Sequence, residues 1–153
     1  MNNNLLKGKR GIIFGALDSK SIAWKVAQYA HNEGAKLILT NAPIALRMGT
    51  INDLAKETNS KVIPADATNI QDMEYLINES MDVLGGKIDF ILHSIGMSVN
   101  VRKKRPYFDL NYDYLMKGID VSAISFHKLL QTSKKLDAIN KCGSILALTF
   151  IAA

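Results

Sequence analysis

Short apolar runs alternate with longer stretches of helical period along the chain. Residues 11–14, Gly11-Ile12-Ile13-Phe14, form an apolar run stopped by Gly15 and predict a buried strand. Residues 21–33 predict a helix, with Ile22, Val26 and Tyr29 recurring at spacings of three and four beside Ala23, Ala27 and Ala30, and Gly34 as terminator. The pattern then repeats: a second strand at 37–40, a helix over 44–58, a short third strand at 61–64, a helix over 69–84 ended by Gly85-Gly86, and a fourth strand at 88–95. Pro64 predicts an edge position for the third strand, because proline cannot donate to a ladder. A loop is expected over 96–108. The longest helical pattern covers 112–136, with Leu115, Ile119, Ile124, Leu129 and Leu130 on its apolar side, and a fifth strand occupies 144–149.

Short apolar strands separated by helices run parallel, through right-handed crossovers. The expected fold is therefore α/β, a doubly wound, Rossmann-like parallel sheet with strand order 3-2-1-4-5 and helices on both faces. No internal repeat or linker divides the chain, so residues 1–153 read as one dinucleotide-binding domain.

Composition adds mainly exclusions. Hydrophobic residues at 48% and charged residues at 22% suit a globular chain rather than a disordered one. No apolar run approaches the roughly 18 residues of a membrane span, and the start lacks the pattern of a secretion signal. Cys142 is the single cysteine, so no intramolecular disulfide can form. These features predict a cytoplasmic protein with no membrane partner. His31, His93 and His127 lie too far apart for a helical metal pair, and no metal is expected.

Charge is more informative. Of the net charge of +5, Arg102-Lys103-Lys104-Arg105 contributes four units in a row, leaving the rest nearly neutral. A nucleic-acid footprint would spread Lys and Arg over a whole face, so no nucleic-acid partner is expected. The run reads either as a solvated loop or, if it lies beside a site, as a docking patch for an acidic partner.

Open parallel sheets bind ligands at the carboxyl ends of their strands where the strand order reverses, here between the first and fourth strands. The turn after Phe14 holds Gly15, Leu17, Ser19 and Ser21, with Ile22 opening the helix. A small residue there lets backbone approach a pyrophosphate, and hydroxyls and amides at a helix start can hold its charge. A serine N-cap is the plain alternative for either serine. Asn41-Ala42-Pro43, after the second strand, offers neither the acid that favours NAD nor a base that favours its phosphorylated form. Asp66-Ala67 could hold an adenine edge, or Asp66 could simply be a turn or cap residue. The fourth strand ends His93-Ser94-Ile95-Gly96, where the glycine lets a flat ring lie close and His93 reads as a hydrogen-bonded core residue. Asp120-Val121-Ser122 is either a helix-surface patch or a polar contact inside the site.

Together with Gly8-Lys9-Arg10, Ser125-Phe126 and Gly143-Ser144-Ile145 leading to Leu148-Thr149, these residues resemble the enoyl-acyl carrier protein reductases of bacterial type II fatty acid synthesis, within the short-chain dehydrogenase/reductase group. Five residues between Gly15 and Ser21-Ile22-Ala23 are the feature that separates such reductases from ordinary short-chain dehydrogenases. The resemblance implies NADH, with NADPH left open, as the donor of hydride to the β-carbon of a trans-2-enoyl thioester. It implies that Gly15, Ser21 and Ile22 serve the pyrophosphate, Asp66 and Ala67 the adenine, and Ser94, Ile95 and Gly96 the ribose and nicotinamide, with Leu17 also at the cofactor. Gly96, Met97 and Ser98 would line the acyl pocket. It also implies a homotetramer, and an enoyl-acyl carrier protein substrate whose acidic carrier could dock on Arg102, Lys103, Lys104 and Arg105.

The pattern departs from that family in two places. Phe150 stands where a tyrosine usually follows the fifth strand. The family's Tyr-x6-Lys motif, on the helix after that strand, would fall beyond Ala153. The expectation is therefore the first part of a longer single-domain reductase, with a sheet incomplete on its C-terminal side and no catalytic residue of its own. As an isolated polypeptide it should be inactive. The readings left in competition are another short-chain reductase, such as a 3-oxoacyl reductase, and a nucleotide-binding module without catalysis.

Overall fold

A computed structural model describes residues 3–149. Its elements run β1 (Arg10–Phe14), α1 (Ile22–Asn32), β2 (Lys36–Thr40), α2 (Pro43–Leu46), α3 (Ile51–Glu57), β3 (Lys61–Val62), α4 (Ile70–Leu84), β4 (Ile88–His93), α5 (Val99–Arg102), a 3-10 turn (Tyr107–Asp109), α6 (Tyr112–Ile119), a π-helical segment (Asp120–Ile124), α7 (Ser125–Lys135) and β5 (Ile139–Ala147). All the strand pairs are parallel, and the order is β3-β2-β1-β4-β5, as the sequence predicts.

Strand alternation divides the core between two faces. Ile12, Phe14, Ile38 and Ile91 point to the side covered by Met73, Leu76 and Ile77 of α4 and Leu129 of α7. Ile13, Leu37, Leu39 and Leu92 point to the side covered by Trp24 and Ala27 of α1 and Ile51 and Leu54 of α3. The buried stripe of α1 is Ala23, Trp24, Ala27 and Ala30, small residues that bring the helix close to the sheet. Ile22 and Tyr29, assigned to the apolar side by period alone, are exposed.

Several element boundaries differ from the sequence reading, β3 among them, which stops at Val62 rather than at residue 64. The helix expected over 44–58 is broken into α2 and α3, because Thr50 N–H donates to the Leu17 carbonyl (3.0 Å). A Cβ at Gly49 would lie 2.3 Å from the same oxygen. The loop at 96–108 contains α5, whose N-cap Ser98 accepts from Val101 N–H. The fourth strand stops at His93 rather than at residue 95, and β5 begins five residues before residue 144. Between the pairs Ile88↔Ile139 and Phe90↔Ser144 the β5 strand carries a bulge, with Cys142 at φ +64°.

The helical stretch at 112–136 is continuous but not uniformly α. Its π segment rotates α7 relative to α6, so Ser125, Leu129, Thr132 and Ser133 meet the sheet. Leu115, Ile119, Ile124 and Leu130, expected on the same apolar side, are partly exposed. On the other side of the sheet's open end, Leu146 of β5 is 59% exposed.

Asp89 ties three strands together at their amino ends. Its carboxylate accepts from Arg10 N–H (2.9 Å), Lys9 Nζ (3.3 Å) and Asn140 Nδ2 (3.1 Å). Burial alone would push the Asp89 carboxyl up, but these three donors together hold it below the ordinary carboxylate range. The stabilisation is therefore present above the unfolded value of about 4 and is lost as pH falls through the lower folded value. Asp89→Asn, which puts an amide among donors, should cost about 1–3 kcal/mol at pH 7 in urea denaturation. The difference from wild type should shrink in acid, and a constant difference down to pH 2 would be inconsistent with this origin.

Candidate functional site

The cleft at the reversal of strand order begins with a backbone contact. Phe14 pairs with His93, so the chain leaves β1 and β4 side by side. Gly15 follows at φ +86°, and a Cβ there would lie 1.9 Å from the Ser94 carbonyl oxygen. Gly15 is thus required by the approach of the two strand ends to each other. Around it lies an open cleft of about 330 Å³, lined by Gly15, Leu17, Ser94, Ile95, Gly96 and Met97 from the two turns. Asn41, Ala42, Ile44, Ala45 and Met48 from the β2–α2 connection, with Arg102 and Val121, complete the wall. At Gly96 a Cβ would meet nothing within 4 Å, so that stretch of backbone faces open space.

Other residues singled out from the sequence lie outside the cleft wall. Ser21 is the N-cap residue of α1, but its hydroxyl donates to the Asp18 carbonyl (2.7 Å) within the turn rather than capping. Ile22, the first helical residue, is exposed. Asp66 Oδ1 accepts from Thr68 N–H (2.9 Å) and Thr68 Oγ1 (2.7 Å), which is the turn reading of that aspartate. Ala67 is buried beside it. Ser98 caps α5. Phe150 lies outside the described residues.

The Asp120-Val121-Ser122 stretch divides among roles. Val121 lines the cleft. Ser122 Oγ accepts from Met97 N–H (3.0 Å) and lies 3.3 Å from the Met97 carbonyl, fixing the turn after β4 to the π segment. Asp120 pairs with Lys128 (2.8 Å). Below them, Ser125 Oγ donates to the Val121 carbonyl (2.7 Å), so it accepts from His93 Nε2–H (2.8 Å). His93 is buried between the rings of Phe14 and Phe126, the core role expected of it.

The basic run is four residues with different surroundings. Arg102 belongs to the cleft wall. Lys103 stands over the Tyr114 ring, 5.2 Å from its centroid. Lys104 closes the turn in a left-handed conformation at φ +55°. Arg105 is held by Asp109, with Nη2 donating to the carboxylate and Nε to the carbonyl, each at 2.8 Å. The β2–α2 residues were legible only as a position after a strand, and Arg102 was hidden within a run of like charges.

Among the described residues no group of three or more His, Cys, Asp or Glu side chains could hold a metal ion, and no helix is long and apolar enough to cross a membrane.

Burial pushes the His93 imidazole below its ordinary value of about 6.5, so the folded protein keeps it neutral. The unfolded chain then binds a proton first as pH falls, and stability drops from about pH 6.5 down to the lower folded value. In His93→Asn this slope between pH 7 and 5 should flatten in denaturation experiments, though the variant is less stable at pH 7. An unchanged slope would assign the acid sensitivity to other groups.

A family model described as Enoyl-(Acyl carrier protein) reductase matches residues 15–153. Enoyl-acyl-carrier-protein reductase (NADH) 2 of Rhizobium meliloti is 32% identical over 149 residues, 97% of this chain and 54% of the relative. The FabI enzyme of the same name from Rickettsia bellii is 32% identical over 154 residues, covering all of this chain and 57% of the relative. The crystal structure of a FabI–NADH complex from Alistipes finegoldii superposes with a TM-score of 0.94 at 60% identity, over 96% of this chain and 52% of that one. The chain spans about half the length of the curated relatives it matches.

Proposed function

The chain belongs to the enoyl-(acyl carrier protein) reductase family, and from that premise we propose that it supplies the cofactor platform of an NADH-dependent reduction of the trans-2 double bond in enoyl-acyl carrier protein. The observation that carries this reading is the cleft of Gly15, Leu17, Ser94, Ile95 and Gly96 at the β1–β4 switch point. Gly96 supports the fit, because bare backbone beside open space can take a flat ring at van der Waals distance.

Gly15, Leu17 and the α1 start at Ser21 and Ile22 serve the pyrophosphate, since the amino end of a helix attracts negative charge. Asp66 and Ala67 serve the adenine, with one carboxylate oxygen spent on Thr68 and the aspartate so oriented. Ser94, Ile95 and Gly96 face the ribose and nicotinamide, and Gly96, Met97 and Ser98 border the acyl pocket. NADH, when bound, supplies the hydride that adds to the β-carbon of the enoyl thioester. The chain's own contribution is to hold donor and acceptor at one face of the β4 turn, which Ser122 fastens through Met97.

The protein is cytoplasmic in this reading, and the whole enzyme is a homotetramer. The exposed apolar positions Leu115, Met116 and Ile119 of α6, with Ile124, give it a surface to bury in such an assembly. Calorimetric titration with NADH, combined with NADH oxidation on a crotonyl thioester by the whole protein, tests the activity. Saturable binding with turnover is expected. Binding without turnover would make the chain a nucleotide-binding module instead, and no binding would remove the reading.

The acidic carrier docks on the basic run in the same reading. Arg102 lines the cleft and would perturb any substrate, so the informative positions are Lys103 and Lys104. Reversing both to Glu should raise KM several-fold for the carrier-bound enoyl substrate and leave KM for a short thioester analogue unchanged, with the difference shrinking in high salt. Equal effects on both substrates would remove the docking role.

A further inference from the structure

Two loops at opposite ends of the proposed cofactor site are fastened to one helical stretch, residues 120–128. Ser122 holds Met97 on one side. On the other, Lys128 Nζ donates to the Thr68 carbonyl (2.8 Å) and to Asp120 Oδ1 (2.8 Å). Thr68 is itself locked to Asp66, whose N–H donates to Asp72 Oδ2 (2.9 Å) and whose carbonyl accepts from Asn69 N–H (2.9 Å). Residues 66–69 are thus a closed turn tied to α4. The contact with Lys128 is what joins that turn to the helix carrying the other loop.

The π segment makes this contact reachable. Eight regular α-helical residues between 120 and 128 would leave the two about 80° apart around the axis. One residue taken up by the wider turn leaves seven regular steps, within about 20° of two full turns, so both side chains come to one face. The lysine, leaning back toward the helix N-terminus, then meets Asp120 and the Thr68 carbonyl together. An exposed ion pair alone would count for little, but the Lys128 side chain is only 23% exposed and its second bond is to main chain.

We propose that Lys128 is a positioning residue for the adenine end of the site: it fixes the Asp66–Thr68 turn at a set distance from the Met97 turn, with Asp120 as the counter-charge that keeps the ammonium in place. This rests on the reading of the cleft as a dinucleotide site. Lys128 acts through Thr68 and does not touch the nicotinamide end.

The whole protein, as wild type, Lys128→Met and Lys128→Arg, is titrated with NADH and with reduced nicotinamide mononucleotide, which lacks the adenosine half. Amide hydrogen exchange is followed at residues 67 and 68. Lys128→Met should weaken NADH about tenfold, the loss of one charge-assisted hydrogen bond. It should leave the mononucleotide affinity, and kcat at saturating NADH, unchanged. Exchange at 67 and 68 should accelerate, and Lys128→Arg, which can still donate to both partners, should recover most of the NADH affinity. Equal weakening of both ligands would show a general loss of structure and overturn the proposal, as would unchanged NADH affinity in Lys128→Met. A wild-type protein that binds neither ligand would instead refute the underlying cofactor reading.

Discussion

The parallel pairing of β1 with β4 is the constraint on which the rest of this structure depends. The two strands lie more than seventy residues apart in the chain. They join in register from Gly11↔Phe90 to Phe14↔His93. Gly11 allows it at one end, since a Cβ there would meet the Phe90 ring at 2.2 Å, and Gly15 allows it at the other. Once this pair is formed, right-handed crossovers send α1 and α3 to one face and α4 and α7 to the other. The two turns that leave the pair then have nothing between them, and the cleft is that gap. The Asp89 carboxylate does the corresponding work at the opposite end, where it gathers the amino ends of β1, β4 and β5.

Much of this was legible in the sequence because it depends on local chemistry repeated along the chain. Apolar runs such as Ile12-Ile13-Phe14 and Leu37-Ile38-Leu39 needed no tertiary information to be read as strands, and their spacing fixed parallel order. What escaped were features made by contact at a distance. The break between α2 and α3 comes from the Leu17 carbonyl, more than thirty residues away in sequence. The early start of β5 runs through Asn140-Lys141-Cys142, a polar stretch that pairs only because a bulge absorbs it. The site shows the same division. Gly15 and Gly96 were singled out from strand ends, and Ser94 and Ile95 through the family resemblance, whereas the hydroxyl of Ser21 and one oxygen of Asp66 are spent on neighbouring groups. The expected role of Gly15, close approach to a pyrophosphate, missed the stronger demand of the Ser94 carbonyl.

Helical period failed for a specific reason in the stretch from Tyr112 to Lys135. An α-period carried through residues 120–124 assigns Leu115, Ile119 and Leu129 to one face, but the π turn places Leu129 on the sheet and leaves the other two partly exposed. The face that α7 does bury is rich in small hydroxyl residues, Ser125, Thr132 and Ser133, which no hydrophobic pattern would select. Ser125 earns its burial by serving two partners, Val121 and His93, and so joins the helix to the end of β4.

The π segment also couples the chain's length here to the way the helix is wound. Its side chains can vary wherever they face solvent, because what matters is the single surplus residue in the turn. Rewinding residues 120–124 as regular α-helix with none of them removed would swing α7 by about 100°. Leu129 would leave the sheet, Ser125 would leave His93, and Lys128 would leave Thr68, all through one event that alters no contacting side chain. Losing one residue together with that rewinding would cancel the swing, since seven regular steps then separate the same side chains, so over evolutionary time the segment should shed its one surplus residue more readily than it changes length in any other way.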